Sequence, residues 1–199
     1  YDGPTIISKS YHPNFCHADS LVFAFGGRES FNFGNNPQQS LAPYDTVVNK
    51  FNVLRLNQVT GSIANWDTLS TLNAPSPRIN STMYWTGSKL IVYGGYTFAN
   101  NLVPMTNNKL TTLSSRIFLN DGAIYDPITN NWTSINIPSS ISNILGVEFY
   151  AHDYFNNKFI IWGGLDSLGV VKNSGALYDL LNNTWNILPS PPNNTNFQL

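Results

Sequence analysis

The chain has few charged residues: only 11% of its 199 residues are Asp, Glu, Lys or Arg, less than half the share that is usual in a soluble domain. The net charge is −1, and the basic residues are scattered, so no cluster could neutralise a run of phosphates. No apolar stretch approaches the roughly 20 residues that a membrane-spanning helix needs. We therefore expect neither nucleic-acid binding nor membrane insertion.

Cysteine is also scarce, since Cys16 is the only one and an internal disulfide is impossible. The sequence contains no CxxC pair, no HExxH motif and no phosphate-binding glycine loop. We accordingly predict no cofactor and no metal.

Asparagine, by contrast, is abundant, at about one residue in seven. One interpretation is an extracellular or surface protein that interacts through neutral hydrogen bonds; the other is an AT-rich genome that encodes Asn freely. Four glycosylation sequons begin at Asn80, Asn131, Asn182 and Asn193. The first residue is Tyr1, with neither Met nor a signal-like segment, so we expect a processed chain or part of a longer one.

Three segments of the chain resemble one another. Residues 21–27 (LVFAFGG), 90–95 (LIVYGG) and 159–164 (FIIWGG) are short apolar runs that end in a double glycine. Gly95 follows Gly27 by 68 residues, and Gly164 follows Gly95 by 69. Such runs are typical of strands that are covered on both faces, so the repeat indicates three similar β units.

A second element follows each double glycine. Residues 122–132 (GAIYDPITNNW) match residues 175–185 (GALYDLLNNTW), with Tyr and Trp seven positions apart in both. Because Asp-Pro and Asn-Asn favour turns, the element reads as strand, tight turn and strand. In the first unit we align residues 53–61 and Trp66 with this element. An alternative register uses Tyr44, Asp45 and Phe51.

These residues resemble the kelch repeat, and the resemblance spans nearly the whole chain. It implies an all-β, kelch-type β-propeller fold of roughly three four-stranded antiparallel blades, with units at 1–74 (degenerate), 75–138 and 139–199. First strands are expected near residues 6–9 or 15–17, at 79–85 and at 147–152. The best helical candidate is residues 108–118, inside a loop. The structural repeat residues are Gly26, Gly27, Gly94, Gly95, Gly163, Gly164, Tyr125, Tyr178, Trp66, Trp132 and Trp185.

Propellers typically have four to eight blades, so three blades leave two radial faces open. We therefore expect the chain to be part of a larger ring, or to be completed by further blades from the same or another chain.

Binding is expected on the face that carries the connections between second and third strands, residues 28–51, 96–121 and 165–174. Long loops on a rigid scaffold commonly carry function. Aromatic and Arg side chains beside amides suit contacts with a protein or a glycan. The candidate binding residues are Arg28, Glu29, Phe31, Phe33, Asn36, Gln38, Tyr96, Phe98, Asn100 and Arg116. The alternative for each aromatic residue is that it only pins its own loop.

Catalytic patterns are weak. His12, Cys16 and His17 are close in sequence, but a Cys in an expected strand usually only packs. His152 with Glu148 and Asp153 forms the best candidate for an enzyme. Some kelch-type propellers are enzymes, such as the copper-dependent galactose oxidase and sugar epimerases, but no residue here maps onto the copper site.

The sequence thus predicts a non-catalytic recognition module, extracellular or at the cell surface, that binds a protein or glycan through its long loops. The alternatives are a structural subunit that assembles through open blade faces and a part of a propeller enzyme.

Overall fold

The computed structural model describes residues 9–11, 13–30, 44–56, 63–106, 109–110 and 116–189. The fold is all-β with antiparallel pairing throughout, and helix in the described ranges is limited to α1 (Ser139–Ser142) and one 3-10 turn, Ala99–Asn101. No helix in these ranges has the length and apolar character needed to cross a membrane.

Three four-stranded sheets follow one another along the chain, and each has its strands in chain order. Sheet 1 contains β2 (Asn14–Ala18), β3 (Leu21–Phe25), β6 (Phe51–Leu56) and β7 (Ile63–Thr68). Sheet 2 contains β8 (Thr82–Trp85), β9 (Leu90–Tyr93), β14 (Gly122–Asp126) and β15 (Asn131–Ile135). Sheet 3 contains β16 (Ala151–Phe155), β17 (Lys158–Trp162), β18 (Gly175–Asp179) and β19 (Thr184–Ile187).

The predicted second strands, which end in the double glycines, are confirmed as β3, β9 and β17. Of the two candidates for the first strand of the chain, residues 15–17 are right, since they lie in β2. The next two first strands begin later than predicted, at Thr82 and Ala151. Asn80 and Phe149, both at φ 54°, adopt left-handed backbone and delay each strand.

The register of the first unit is also settled. Leu54 pairs with Trp66 as Tyr125 pairs with Trp132 and Tyr178 with Trp185. The alternative register is wrong, because Tyr44 lies in a different sheet and Phe51 pairs with Phe25.

The long connections are built from further strands, which periodicity did not reveal. A fourth sheet, here called the cap sheet, joins the connections of sheets 1 and 2. In order across the sheet, its strands are β1 (Lys9–Tyr11), β4 (Arg28–Ser30), β5 (Tyr44–Val47), β11 (Leu102–Thr106) and β12 (Lys109–Leu110). A two-stranded ribbon pairs β10 (Tyr96–Phe98) with β13 (Arg116–Phe118), and these two strands flank β11 and β12 in the sequence. The helical candidate at 108–118 is therefore wrong where the chain is described.

Two apolar layers hold the three sheets together. The first includes Phe25 and Phe51 of sheet 1 with Tyr125 and Trp132 of sheet 2. The second joins sheets 2 and 3 and includes Ile91, Tyr93, Phe159, Ile161 and Tyr178. Since the covered rows are aromatic and branched, each interface removes a large apolar area from water.

Tryptophan side chains cross from one sheet to the next. Trp132 of sheet 2 donates its indole N–H to the carbonyl of Ser70, just after sheet 1, at 3.1 Å. Trp185 of sheet 3 donates in the same way to Asn136, just after sheet 2, at 3.1 Å. Trp66, at the same pairing position of sheet 1, is 49% exposed. Trp132 and Trp185 thus pack across an interface, whereas Trp66 lacks a covering sheet among the described residues.

Arg78 is fully buried in the segment that leads into sheet 2. All five of its N–H groups are used: Nε binds Ser76 O, Nη1 binds Gly94 O and Asp121 O, and Nη2 binds Ser76 Oγ and Asp121 Oδ1, over distances of 2.9–3.1 Å. Its own carbonyl accepts from Gly27 N of the first unit at 2.9 Å. Burial lowers the pKa of Arg78, and the Asp121 carboxylate opposes this. The residue is therefore a structural clamp.

Substitution of Arg78 tests how much it contributes to the free energy of unfolding. We expect Arg78→Met to lower the free energy of unfolding by about 3 kcal/mol or more, because three carbonyls and one carboxylate lose a buried cation. Arg55→Met is the control, since Arg55 and Asp67 form an ion pair that is more than half exposed, and we expect a loss below about 1 kcal/mol. Urea denaturation measures both, and equal losses would contradict the assignment.

In sheets 2 and 3 the second glycine of the pair accommodates the chain that enters the same sheet. Gly95 has φ 86°, and a Cβ there would lie 2.5 Å from Ile79 O and 2.8 Å from Ser81 N. Gly164 has the same φ, and a Cβ there would collide with Glu148 O and Tyr150 N. The double glycine is thus required by close backbone approach as well as by positive φ.

These two requirements can be separated. Gly87 has φ 92° but open space around its Cβ position, so Gly87→Ala carries the backbone strain alone. We expect Gly95→Ala to be less stable than Gly87→Ala by about 1–3 kcal/mol, the range for overpacking. Thermal and urea unfolding of the two variants give the difference, and no difference would rule out the steric explanation.

Candidate functional site

A groove of about 630 Å³ opens at the rim of the interface between sheets 2 and 3, between the connection that precedes β14 and the segments that precede β16 and follow β17. This volume lies in the range that is common for small-ligand sites. It is lined by Arg116, Ile117, Phe118, Asn120, Ser142, Asn143, Leu145, Val147, Asp166, Ser167 and Lys172. Amide and hydroxyl groups therefore stand beside apolar side chains and two ion pairs.

The first ion pair fixes one wall. Arg116 Nη1 binds Glu148 Oε1 at 2.7 Å, and both side chains are mostly buried. The guanidinium carbon lies 4.3 Å from the centroid of the Tyr96 ring, a cation–π contact. Burial raises the pKa of Tyr96, while Arg116 opposes that rise. Arg116 Nε is buried and has no hydrogen-bond partner within the described ranges, so an oxygen acceptor would be favourable there.

The opposite wall is a short turn in the third unit. Asp166 accepts hydrogen bonds from Leu168 N and Val170 N, both at 2.9 Å, and pairs with Lys172 Nζ at 2.9 Å. The hydrogen bond from Val170 N is the main reason that the pKa of Asp166 is lowered. With two cations and two carboxylates paired, the groove has no net charge. The turn also exposes the apolar side chains of Leu168, Val170 and Val171.

Phe149 is a candidate that sequence reasoning missed. Its side chain is 74% exposed, and its backbone is left-handed, which is rare for an aromatic residue. Asn80 occupies the same structural position in the second unit, with the same φ. Phe149 lies next to Glu148 and two residues from Val147 of the groove. Strain retained at an exposed aromatic residue is typical of functional sites. The signal in the sequence was a Phe where the second unit has Asn.

The candidate binding residues are dispersed. Tyr96 and Phe98 are buried in a cluster with Val47, Ile79 and Val103, so they pin their connection. Glu29 is buried and pairs with Lys50 at 2.5 Å. Asn100 is exposed in the 3-10 turn, Arg28 lies in β4, and Arg116 reaches the groove. Phe31, Phe33, Asn36 and Gln38 lie outside the described residues.

The candidate catalytic clusters do not converge. His152 and Asp153 are neighbours in β16, so they point to opposite faces, and Glu148 binds Arg116. Cys16 and His17 likewise alternate in β2, and burial raises the pKa of the Cys16 thiol. Among the described residues no group of three or more His, Cys, Asp or Glu could hold a metal ion. His12 lies outside them.

Comparison with known proteins supports the fold alone. No protein-family model and no curated protein matches the chain. Among solved structures, the chain is similar to the structure of YjhT, with a TM-score of 0.54 and 16% sequence identity over 92% of this chain and 53% of that chain. The chain therefore spans about half the length of that structure. The likeness supports an all-β, propeller-like arrangement of the three sheets.

His152 offers a titration test of the interface beside the groove. Its ring lies 6.3–6.5 Å from the rings of Tyr84, Tyr150 and Phe159, and partial burial lowers its pKa below 6.5, while Asp153 raises it. The unfolded chain thus takes up the proton first as the pH falls through about 6.5, so His152 reduces stability below that pH. We expect NMR titration to give a pKa below 6.5, and a lower one in Asp153→Asn.

Glu148→Gln is the control for this titration, because that carboxylate is engaged by Arg116. It should leave the pKa of His152 unchanged. A His152 pKa above 6.5 would contradict burial as the dominant influence on the ring. A higher His152 pKa in Asp153→Asn would contradict the influence of the carboxylate.

Proposed function

We propose that this chain is a non-catalytic recognition module of the kelch-propeller type, and that it binds a protein or a glycan through the face that carries the groove. The observation that carries the proposal is the groove between sheets 2 and 3, with its paired charges, its amides and hydroxyls, and the strained Phe149 nearby.

The chemistry of the groove favours a neutral, hydroxyl-rich ligand. Its charged groups neutralise each other in two ion pairs, so it offers no net attraction to a phosphate or a strongly acidic peptide. Asn120, Asn143, Ser142 and Ser167 supply donors and acceptors that sugar hydroxyls can satisfy. Among the two partner classes, these features favour a glycan.

Exposed apolar side chains supply the second component of such a site. Aromatic rings give contact area at low entropic cost, and Phe149, next in sequence to Glu148, exposes one. Leu168, Val170 and Val171 are exposed on the turn that forms the opposite wall. In this proposal the ligand contacts both.

An extracellular or cell-surface location belongs to the same proposal. The sequon residues Asn80, Asn131 and Asn182 are all exposed, so oligosaccharide could be attached to each of them. Asn193 lies outside the described residues.

Phe149 separates a binding role from a structural one. We expect Phe149→Asn to raise the free energy of unfolding by about 1 kcal/mol, because Asn tolerates left-handed backbone better than Phe. The same change should abolish binding to the hits of a printed glycan array. A gain in stability with a loss of binding is not what a residue with a purely structural role would give.

Phe155→Asn is the matched control, since Phe155 is also 74% exposed but lies at the far end of β16. It should bind the array as the unchanged chain does. Array binding that survives Phe149→Asn, or that Phe155→Asn removes equally, would contradict the proposed site. Absence of any array hit would remove the glycan and leave a protein as the partner.

A further inference from the structure

Sheets 2 and 3 each present a row of side chains toward the preceding sheet, and sheet 1 carries the corresponding row. In sheet 2 the row includes Leu90, Tyr125 and Trp132, all at least 97% buried against sheet 1. In sheet 3 it includes Phe159, Tyr178 and Trp185, packed against sheet 2. In sheet 1 the same row is Val22, Leu54 and Trp66. We call this side of sheet 1 its front face.

The front face carries two large apolar side chains that are exposed within the described structure. Trp66 is 49% exposed, and Phe15 on the same face is 57% exposed, with the two rings 6.4 Å apart. Trp132, at the position of Trp66, is only 3% exposed. Trp66 thus occupies a position that is buried in sheet 2 and part-buried in sheet 3, and Phe15 lies exposed beside it.

Within the described residues, Trp66 also lacks the indole hydrogen bond that Trp132 and Trp185 make. The acceptors of Trp132 and Trp185 are Ser70 and Asn136. Both acceptors have the same place in their sheets. The residue before each acceptor, Leu69 in sheet 1 and Ile135 in sheet 2, pairs with the first residue of the third strand. The corresponding residue after sheet 3 is Pro189, since Leu188 N binds Gly175 O.

Sheet 1 therefore carries the donor, and the residue after sheet 3 the acceptor, of the same type of hydrogen bond. No hydrogen bond joins Trp66 Nε1 to any described residue, and Pro189 is exposed. The side of sheet 3 that faces away from sheet 2, which we call its back face, carries Ile160, Trp162 and Leu177. These three are only part-buried, whereas Ile91, Tyr93 and Ile124 at the same positions of sheet 2 are covered.

We propose that the front face of sheet 1 binds the back face of sheet 3 of a second copy of this chain, with Trp66 Nε1 donating to Pro189 O of that copy. The interface repeats the two interfaces within the chain and needs no new kind of contact. In a ring of two copies this contact occurs twice, related by a twofold axis, and the ring closes if the rotation between neighbouring sheets continues across both contacts.

The number of sheets fits this closure. Two copies supply six sheets, within the four to eight blades that propellers contain. This chain matches 53% of the length of the YjhT chain, so two copies of it together have about the length of that protein. The interface uses the radial faces and leaves the groove between sheets 2 and 3 free, so it is independent of the proposed function.

Sedimentation velocity and light scattering of the 199-residue chain test the proposal. We expect a dimer of twice 22.1 kDa at tens of micromolar. Trp66→Ala should raise the dissociation constant at least about tenfold, as is usual for a central Trp in an interface. Trp66→Phe, which keeps a ring but loses the N–H, should give a smaller rise. Ile128→Ala, at a 90% exposed position in the turn before β15, is the control and should dimerise normally.

A mixing experiment distinguishes this interface from a symmetric one. Asn186→Arg places a charge on the exposed part of the back face and should also dissociate the dimer. Because each variant keeps one intact face, Trp66→Ala mixed with Asn186→Arg should recover part of the dimer. Circular dichroism checks that both variants are folded.

Four results would overturn the proposal. They are a 199-residue chain that stays monomeric at about 100 micromolar, a dimer that is unaffected by Trp66→Ala and Trp66→Phe, a dimer that is unaffected by Asn186→Arg, and dissociated variants whose mixture recovers no dimer. The first would assign the front face to a further blade rather than to a second copy, and the third would indicate a symmetric contact between two front faces.

Discussion

The arrangement of the sheets depends on a buried guanidinium. Arg78 satisfies all five of its donors with Ser76, Gly94 and Asp121, and its carbonyl holds Gly27. One residue therefore fixes the chain that enters sheet 2, the end of its second strand and the double glycine of the first unit. Asp121 is the last residue before β14. By binding it, Arg78 also fixes the end of the connection that carries Arg116 and Asn120 of the groove.

The other constraint is repetition of the contacts between sheets. Asn14 bonds Ser81 at 2.8 Å across the first interface, and Thr82 bonds Tyr150 at 3.0 Å at the same positions of the second. Burial raises the pKa of Tyr150 to about 12, so this hydroxyl stays neutral and its bonds persist across the physiological range. Each interface therefore has a polar contact between first-strand segments and a Trp hydrogen bond to the preceding sheet.

Much of the framework could be predicted from the sequence, because it rests on local patterns that recur. Apolar runs before double glycines gave the central strands, and the spacing of Trp66 from Trp132 indicated the register of the first unit. The cap sheet was missed, since β5 and β11 are short and pair only through tertiary contacts between separate connections. The site was predicted only in part. Arg116 lines the groove, but Tyr96 and Phe98 are buried, and composition alone cannot distinguish an aromatic residue that pins a loop from one that faces a ligand. Phe149 stands out only through its backbone conformation.

The abundance of asparagine has a structural component. Of the ten residues other than glycine with positive φ in the described ranges, eight are Asn: Asn73, Asn80, Asn100, Asn101, Asn130, Asn156, Asn157 and Asn183. Two of them, Asn130 and Asn183, also accept hydrogen bonds from Tyr125 and Tyr178. Such turns admit Gly or Asp at low cost and most other side chains only with strain. Substitution at these turns is therefore confined to a few residue types, whereas an exposed strand position such as Ser134 is not restricted in this way. In diverged copies of the repeat, the turns should keep their residue types after the strands between them have lost all recognisable similarity.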